Sequence, residues 1–473
     1  MSIFDSFQSH SSKSCIILSN NEKLSYFQLN QKIDLFSKNL RAGSLVLVLA
    51  QASIEPVICY LAALRERAVI MFADLKTPDL DLQSLIDAYT PDFIFIPKTR
   101  MSGIKKYNSD SCITFLGYEL LRRSMINKIN LHPDLAILLP TSGSTGNTKY
   151  VRISHANLEA NTKSIIESLG ISQKDRAITT MPLGYSYMLS VLNSHLHAGA
   201  SIFICDYPII QRKFWELAKM HQITSISGVP TFFHILVRLG LENFDVPSLR
   251  QITQAGGKLD NATTQKMIDF AKSKNIEFIT MYGQTEASPR ISYLDWMSAQ
   301  RKVGSIGKSI PNVRMWLQAP NGEQVVSPDT EGEIIVAGAN VSMGYSESSK
   351  DLILGDENQG LLRTGDLAKR DAEGYFYITG RLKRFAKIDG FRLNLDDIEV
   401  KMKEVGITIA CIEYENQIRV FFEQRLSKNH LLERLAEVTG QNQRIFNIFK
   451  LKSFPLTSNG KIEYKALKSL CHD

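Results

Sequence analysis

The chain has 473 residues, 44% hydrophobic and 22% charged, with 55 basic against 48 acidic residues and a formal net charge of +7. That length holds about two to four folding units; the charge excess is too small to argue for nucleic acid, and no apolar run approaches the roughly 18 residues of a membrane span. The six cysteines (Cys15, Cys59, Cys112, Cys205, Cys411, Cys471) form no C-x-x-C pair and have no neighbouring histidine pattern, which argues against a zinc site or disulfide framework and for a reduced, cytoplasmic setting. No basic, apolar leader opens the sequence.

Residues 1–130 alternate two patterns. Tyr26-Phe27-Gln28-Leu29 with Ile33, Leu35-Phe36 and Leu40 has helical spacing, Ser44 to Ala50 (SLVLVLA) reads as a fully buried strand, and Pro56 to Leu64 returns to helix. Val69 to Phe72 and Phe93 to Ile96 are short apolar runs bounded by turn residues. Strand and helix in alternation predict mostly parallel sheets covered by helices, an α/β fold.

The apolar run Leu135 to Leu139 predicts another buried strand, and it empties into Thr141-Ser142-Gly143-Ser144-Thr145-Gly146-Asn147-Thr148-Lys149. Glycines let backbone N–H groups turn toward an anion, hydroxyls add donors and the lysine adds a point charge, so this loop suits phosphate. It is not a Walker A loop, because Gly143, Gly146 and Lys149 are spaced three apart and Tyr150 follows the lysine. Ser154 is placed to cap a helix that opens at His155, a histidine read as structural. Met181 to Ser190 follows, then two predicted strands: Ile223 to Val229, and Ile252 to the glycine pair Gly256-Gly257. Next comes Tyr282-Gly283-Gln284-Thr285-Glu286, and from Glu331 a run of strands and turns predicts a β-rich region.

The phosphate loop, Tyr282 to Glu286, Arg363-Thr364-Gly365-Asp366-Leu367, Gly380-Arg381-Leu382-Lys383 and Thr457-Ser458-Asn459-Gly460-Lys461 occur in that order. Together they resemble the adenylate-forming superfamily: acyl- and aryl-CoA synthetases, adenylation domains of peptide synthetases, and luciferases. The resemblance covers nearly the whole chain. It implies a large domain over 1–382 that binds ATP and a carboxylate, with a β-rich subdomain at about 305–382. It also implies a small mobile α+β domain over 383–473 that carries the catalytic lysine, Lys461.

The same resemblance distributes roles. Thr141, Ser142, Gly143, Ser144, Thr145, Gly146 and Lys149 would hold phosphates; Gly256, Gly257, Tyr282 and Gly283 would line the nucleotide; Asp366, assisted by Arg381, would accept the ribose hydroxyls. Thr285 would bond the α-phosphate and Glu286 would anchor Mg²⁺, which takes oxygen ligands. The acid would lie among Tyr185, Tyr187, Met188, Val229, Gly256 and Met281. Lys383 would be the hinge, and Gly390 would sit on the channel for a phosphopantetheine arm. Adenylation domains for amino acids place an aspartate in the Met181–Ala200 stretch, because a buried ammonium needs a paired charge. Alignment on Leu189-Ser190-Val191 puts Met188 there, and no carboxylate occurs in the stretch.

The expected activity is an ATP-dependent acid–thiol ligase acting on a small carboxylic acid, with ATP and Mg²⁺ required. The acceptor is a phosphopantetheine thiol, preferably of an acyl carrier protein. Seven basic residues between Lys369 and Arg392 offer either a landing surface for that partner or a solvated face. The alternatives are a ligase using free CoA, an amino-acid adenylating enzyme, and a non-catalytic nucleotide-binding relative.

Overall fold

Where a sheet is covered on both faces its strands are apolar along their whole length. Leu45–Ala50 (LVLVLA) is buried at every position and so is Phe93–Pro97 (FIFIP). The computed structural model describes residues 6–104, 109–123, 130–141, 149–382, 384–388, 391–415, 417–423, 426–457 and 461–471. They form a mixed α/β protein of two compact units. The first takes in the residues up to Thr141, 149–315 and 336–362, and the second 316–335 and the chain from Arg363 onward.

The first unit contains two large sheets. One is nine-stranded, in the order Lys308–Ser309, Arg290–Leu294, Glu277–Gly283, Gln251–Gln254, Ser225–Gly228, Arg176–Ile178, Ser201–Ile204, Ser14–Leu18, Lys23–Ser25. Its six inner strands, Glu277–Gly283 through Ser14–Leu18, are parallel, with antiparallel additions at both edges. In such sheets ligands gather at the carboxyl ends of the strands. Three neighbouring strands here end at Gly228, Gln254 and Gly283.

The other sheet has eight strands. Leu135–Thr141, Val69–Asp74, Leu45–Ala50 and Phe93–Pro97 form its parallel centre. Lys149–Ser154 and then Gly344–Ser346 extend one side antiparallel. Arg152, fully buried, holds that side together: its guanidinium donates to Tyr345 O (3.0 Å) and Met343 O (2.9 Å) and meets the Glu357 carboxylate. The helix His155–Leu169 begins with the reciprocal bonds of a capping box between Ser154 and Asn157, as the sequence predicts for Ser154.

The second unit holds most of a five-stranded sheet, ordered Gln324–Val325, Val313–Gln318, Gly332–Gly338, Leu361–Arg370, Phe376–Arg381. It continues with the two-stranded ribbon Phe385–Ile388 and Phe391–Asn394. A three-stranded sheet follows, Ile409–Tyr414, Gln417–Phe422 and Phe446–Lys450. Ile398, Met402, Ile409, Val420, Leu431 and Leu435 fill a core between this sheet and the helices Leu395–Glu404 and Lys428–Thr439. Among the described residues no helix is long and apolar enough to cross a membrane.

Candidate active site

The strands on either side of the predicted phosphate loop pair antiparallel, Leu135–Thr141 with Lys149–Ser154, Thr141 opposite Lys149. Thr141 Oγ1 donates to Lys149 O at 3.2 Å, and Lys149 Nζ lies 2.6 Å from Glu347 Oε1. Ser142, Gly143, Ser144, Thr145 and Gly146 lie outside the described residues.

Glu277–Gly283 turns back through the single helical turn Thr285–Ala287 into Arg290–Leu294. The turn is tight because Gly283 faces the backbone of Pro289: a Cβ there would stand 1.7 Å from Pro289 O, so no other residue fits. Thr285 and Glu286 are thereby presented at the strand end. Thr285 Oγ1 is 3.1 Å from Ser186 Oγ, on the first turn of the helix Ser186–His197. Glu286 Oε1 accepts the Tyr345 phenol at 2.7 Å, and burial first, then the carboxylate, raises that phenol's pKa. Ser186, Tyr345 and Glu347 were not singled out by the sequence. Nothing local marks them, since each meets its partner across 59 to 198 residues of chain.

Gly256 sits just past the neighbouring strand with φ of +83°, a left-handed conformation that suits glycine. A Cβ added there would lie 2.7 Å from the Tyr185 hydroxyl and 3.0 Å from Val229 Cγ1, so backbone, phenol and valine meet in one close cluster. Gly257 O accepts from Gln254 Nε2 at 2.8 Å. Burial pushes the Tyr185 phenol up to about 12, so it stays a neutral donor. Tyr187 is buried, its hydroxyl held by Thr253 O and Oγ1, both at 2.9 Å. Met281 is buried beside Arg290, whose Nη1 lies 2.6 Å from Met281 Sδ. Arg290 is 2% exposed and lies under the Tyr187 ring, Cζ 3.9 Å from the centroid; burial depresses its pKa. Met188, fully buried, faces a different cavity, lined also by Val57, Met181, Leu183 and Leu192.

In the second unit Asp366 and Arg381 stand opposite each other in adjacent strands, Arg381 Nε 2.7 Å from Asp366 Oδ1. The carboxylate is nearly covered while the guanidinium is exposed, so the pair presents one open cationic edge over a buried acceptor. Lys461, exposed, closes a turn in which Thr457 N donates to Lys461 O (2.8 Å) and Lys461 N to Thr457 Oγ1 (3.2 Å). Lys383 and Gly390 lie outside the described residues. One of the seven basic residues, Arg384, is not a surface group: its guanidinium donates to Asp396 Oδ1 (2.8 Å) and Cys411 O (2.6 Å), meets Glu399, and stacks 4.0 Å from the Tyr464 ring centroid. It is withdrawn from any landing surface.

A family model described as AMP-binding enzyme matches residues 3–346. The chain belongs to this family. Among curated relatives it is 27% identical to tyrocidine synthase 1 of Brevibacillus parabrevis over 95% of this chain and 43% of that protein. It is 24% identical to the peroxisomal OPC-8:0-CoA ligase 1 of Arabidopsis thaliana, over 98% of this chain and 92% of that one. The chain thus spans less than half the length of the peptide synthases it matches first. Its fold is that of o-succinylbenzoate-CoA synthetase (MenE) from Bacillus subtilis, solved with the acyl-adenylate OSB-AMP (TM-score 0.80) and with ATP and a magnesium ion (0.79). Identity is 20%, covering 98% of this chain and 97–98% of the other. The recognition drawn from five short motifs therefore holds over the family-matched residues and over the fold.

Proposed function

We propose that this AMP-binding family member is an ATP-dependent acid–thiol ligase. In the first step one carboxylate oxygen of a small acid attacks the α-phosphorus of ATP; the bond to the bridging oxygen breaks and pyrophosphate leaves, giving an acyl-adenylate. In the second a thiolate attacks the acyl carbon and AMP leaves, giving a thioester. The observation that carries this reading is the strand-end turn at Gly283, which sets the Thr285 and Ser186 hydroxyls 3.1 Å apart with Glu286 alongside.

Each residue has a task in that chemistry. Thr285 and Ser186 donate to the α-phosphate, and Tyr282 offers its ring to adenine. Lys149, with the loop through Thr141, Ser142, Gly143, Ser144, Thr145 and Gly146, neutralises the phosphates, while Gly256, Gly257 and Gly283 admit the nucleotide backbone-close. Asp366 accepts the ribose hydroxyls. Lys461 brings positive charge to the departing pyrophosphate, acting by position and electrostatics. Among the described residues no group of three or more His, Cys, Asp or Glu side chains could hold a metal. A single half-buried carboxylate, Glu286, with substrate phosphates and water completing the shell, fits magnesium, which binds through few protein ligands. When bound, Mg²⁺ supplies charge stabilisation at the phosphate oxygens.

The domain division at 382/383, the hinge Lys383 and the channel position Gly390 belong to this proposal, as does a cytoplasmic setting. The acceptor is a phosphopantetheine thiol, with an acyl carrier protein preferred and CoA the alternative; turnover with holo-carrier against CoA separates them. The ligase reading is tested by ATP–pyrophosphate exchange against pooled short, hydroxy, aryl and amino acids. Exchange with one pool is expected, reduced about 100-fold or more in Lys461→Ala and Glu286→Gln with melting unchanged. Measurable ATP binding with no exchange in any pool would favour the non-catalytic relative.

A further inference from the structure

Arg290 is a buried cation that meets no carboxylate among the described residues. The other fully buried guanidinium among the described residues, Arg152, meets Glu357, and the partly buried Arg384 has Asp396 and Glu399. Arg290 instead has the ring face and hydroxyl of Tyr187, a serine hydroxyl (Nη2 to Ser190 Oγ, 3.4 Å) and a thioether (Met281 Sδ), while its Nε has no hydrogen-bond partner among the described residues. The Tyr187 hydroxyl is itself engaged, donating to Thr253 O. An ion taken out of water without a partner costs several kcal/mol. A thioether is a weak acceptor, and on an unbranched side chain it moves aside readily.

Its location gives the charge a use. Ser186 and Ser190 are four residues apart on the helix Ser186–His197 and so share a face. Ser186 touches Thr285, at the end of the site assigned to the α-phosphate, and Ser190 touches Arg290. The serine that meets the guanidinium is therefore about one helical turn, roughly 5.4 Å, along the helix from the serine that meets Thr285. Tyr187 and Met281, two of the residues expected around the acid, touch it, and Tyr185 packs against Tyr187.

We infer that Arg290 receives a second carboxylate on the substrate, so that the acid activated here is a short dicarboxylate, one end at Thr285 and the other on the guanidinium. The inference rests on the ligase reading above for the role of the first carboxylate. A planar guanidinium holds a carboxylate through two parallel bonds, and burial strengthens both. A monocarboxylic acid of equal length would leave the charge unmet.

The test compares succinate and glutarate with butyrate and pentanoate, chains of equal length ending in methyl, in two assays: ATP–pyrophosphate exchange and ligand-induced shifts of the melting temperature. The wild type is expected to exchange at least 100-fold faster, by kcat/KM, with one dicarboxylate than with its monoacid partner, and to be raised in melting temperature by it. Arg290→Met, unbranched and apolar, is expected to lose both responses to dicarboxylates and keep or gain exchange with monoacids. It should melt no lower than wild type, because replacing an unpaired buried charge is often stabilising. Arg290→Lys, which keeps the charge and loses the fork, is expected to lose about tenfold on dicarboxylates alone. Monoacids preferred by the wild type, or an equal loss on both acid types in both variants, would overturn the proposal and leave the ligase reading standing. Dicarboxylate shifts present in wild type and absent in Arg290→Met, with no exchange for any acid, would uphold the anion site and sink the ligase reading.

Discussion

Replacing Arg384 by methionine is a severe test of how the second unit is held together. The guanidinium donates to Asp396 and to Cys411 O and meets Glu399; Glu399 in turn accepts Tyr464 Oη (2.6 Å) and Cys411 N (2.7 Å). Burial already raises the Glu399 pKa, with Arg384 the main opposing influence. Without Arg384 the carboxylate is left in a dry site with neutral donors only. Removing one partner of a buried pair costs about 3–5 kcal/mol, against a total of about 5–15 kcal/mol for a typical domain. Melting of this unit should fall by roughly 10 °C or more. The assay is calorimetry on the full chain with a urea series, extended to Arg384→Met/Glu399→Met. Removing both charges recovers most of the loss, because an apolar pair of similar volume is often neutral in such a place. Because Tyr464 lies three residues beyond Lys461, the single variant should also slow exchange. A single variant within about 1 kcal/mol of wild type, or a double variant less stable than the single, would refute the argument.

Two further outcomes follow from other parts of the chain. Gly256→Ala should destabilise by about 2–4 kcal/mol, part from the left-handed backbone and part from a Cβ pressed on Tyr185 and Val229; its urea midpoint should drop and its KM for the acid should rise. His155 and His195 are both held down to about 4 by burial. Because the folded values lie below the ordinary 6.5, their contribution is complete above pH 6.5 and is lost as pH falls from there toward 4. A drop from 6.5 to about 4 corresponds to at most about 3.5 kcal/mol for each ring, so His195→Gln should flatten stability across that window when melting is followed against pH.

Much of the scaffold was legible because it is local. LVLVLA is an inner strand, the pattern at Pro56 falls within a helix, the pattern at Tyr26 starts one that ends at Ser37, three residues short of Leu40, and Ser154 caps the helix it precedes. The strand emptying into a hydroxyl and glycine loop was likewise readable, with Lys149 starting the return strand. What local pattern could not carry was the pairing of Gly344–Ser346 with Lys149–Ser154, some 190 residues apart. That pairing, braced by Arg152, brings Tyr345 to Glu286 and Glu347 to Lys149. Arg384 misled in the opposite way: one more basic residue in a basic stretch, it is an interior group, and only its ion partners tell the difference.

The helix Ser186–His197 bears most on substrate. Sequence alignment put Met188 where an amino-acid adenylating domain keeps its aspartate, whereas the face that meets Thr285 and Arg290 carries Ser186 and Ser190. Two residues on a helix are a rotation of about 200°, so an offset of that size turns a side chain to the opposite wall, and Met188 indeed lines another cavity. At either phase this helix offers an ammonium no countercharge, since neither Ser186 nor Ser190 is acidic and Met181–Ala200 has no carboxylate. Arg290 acts in the same direction: the guanidinium buried against Tyr187 and Met281 repels an ammonium and attracts an anion.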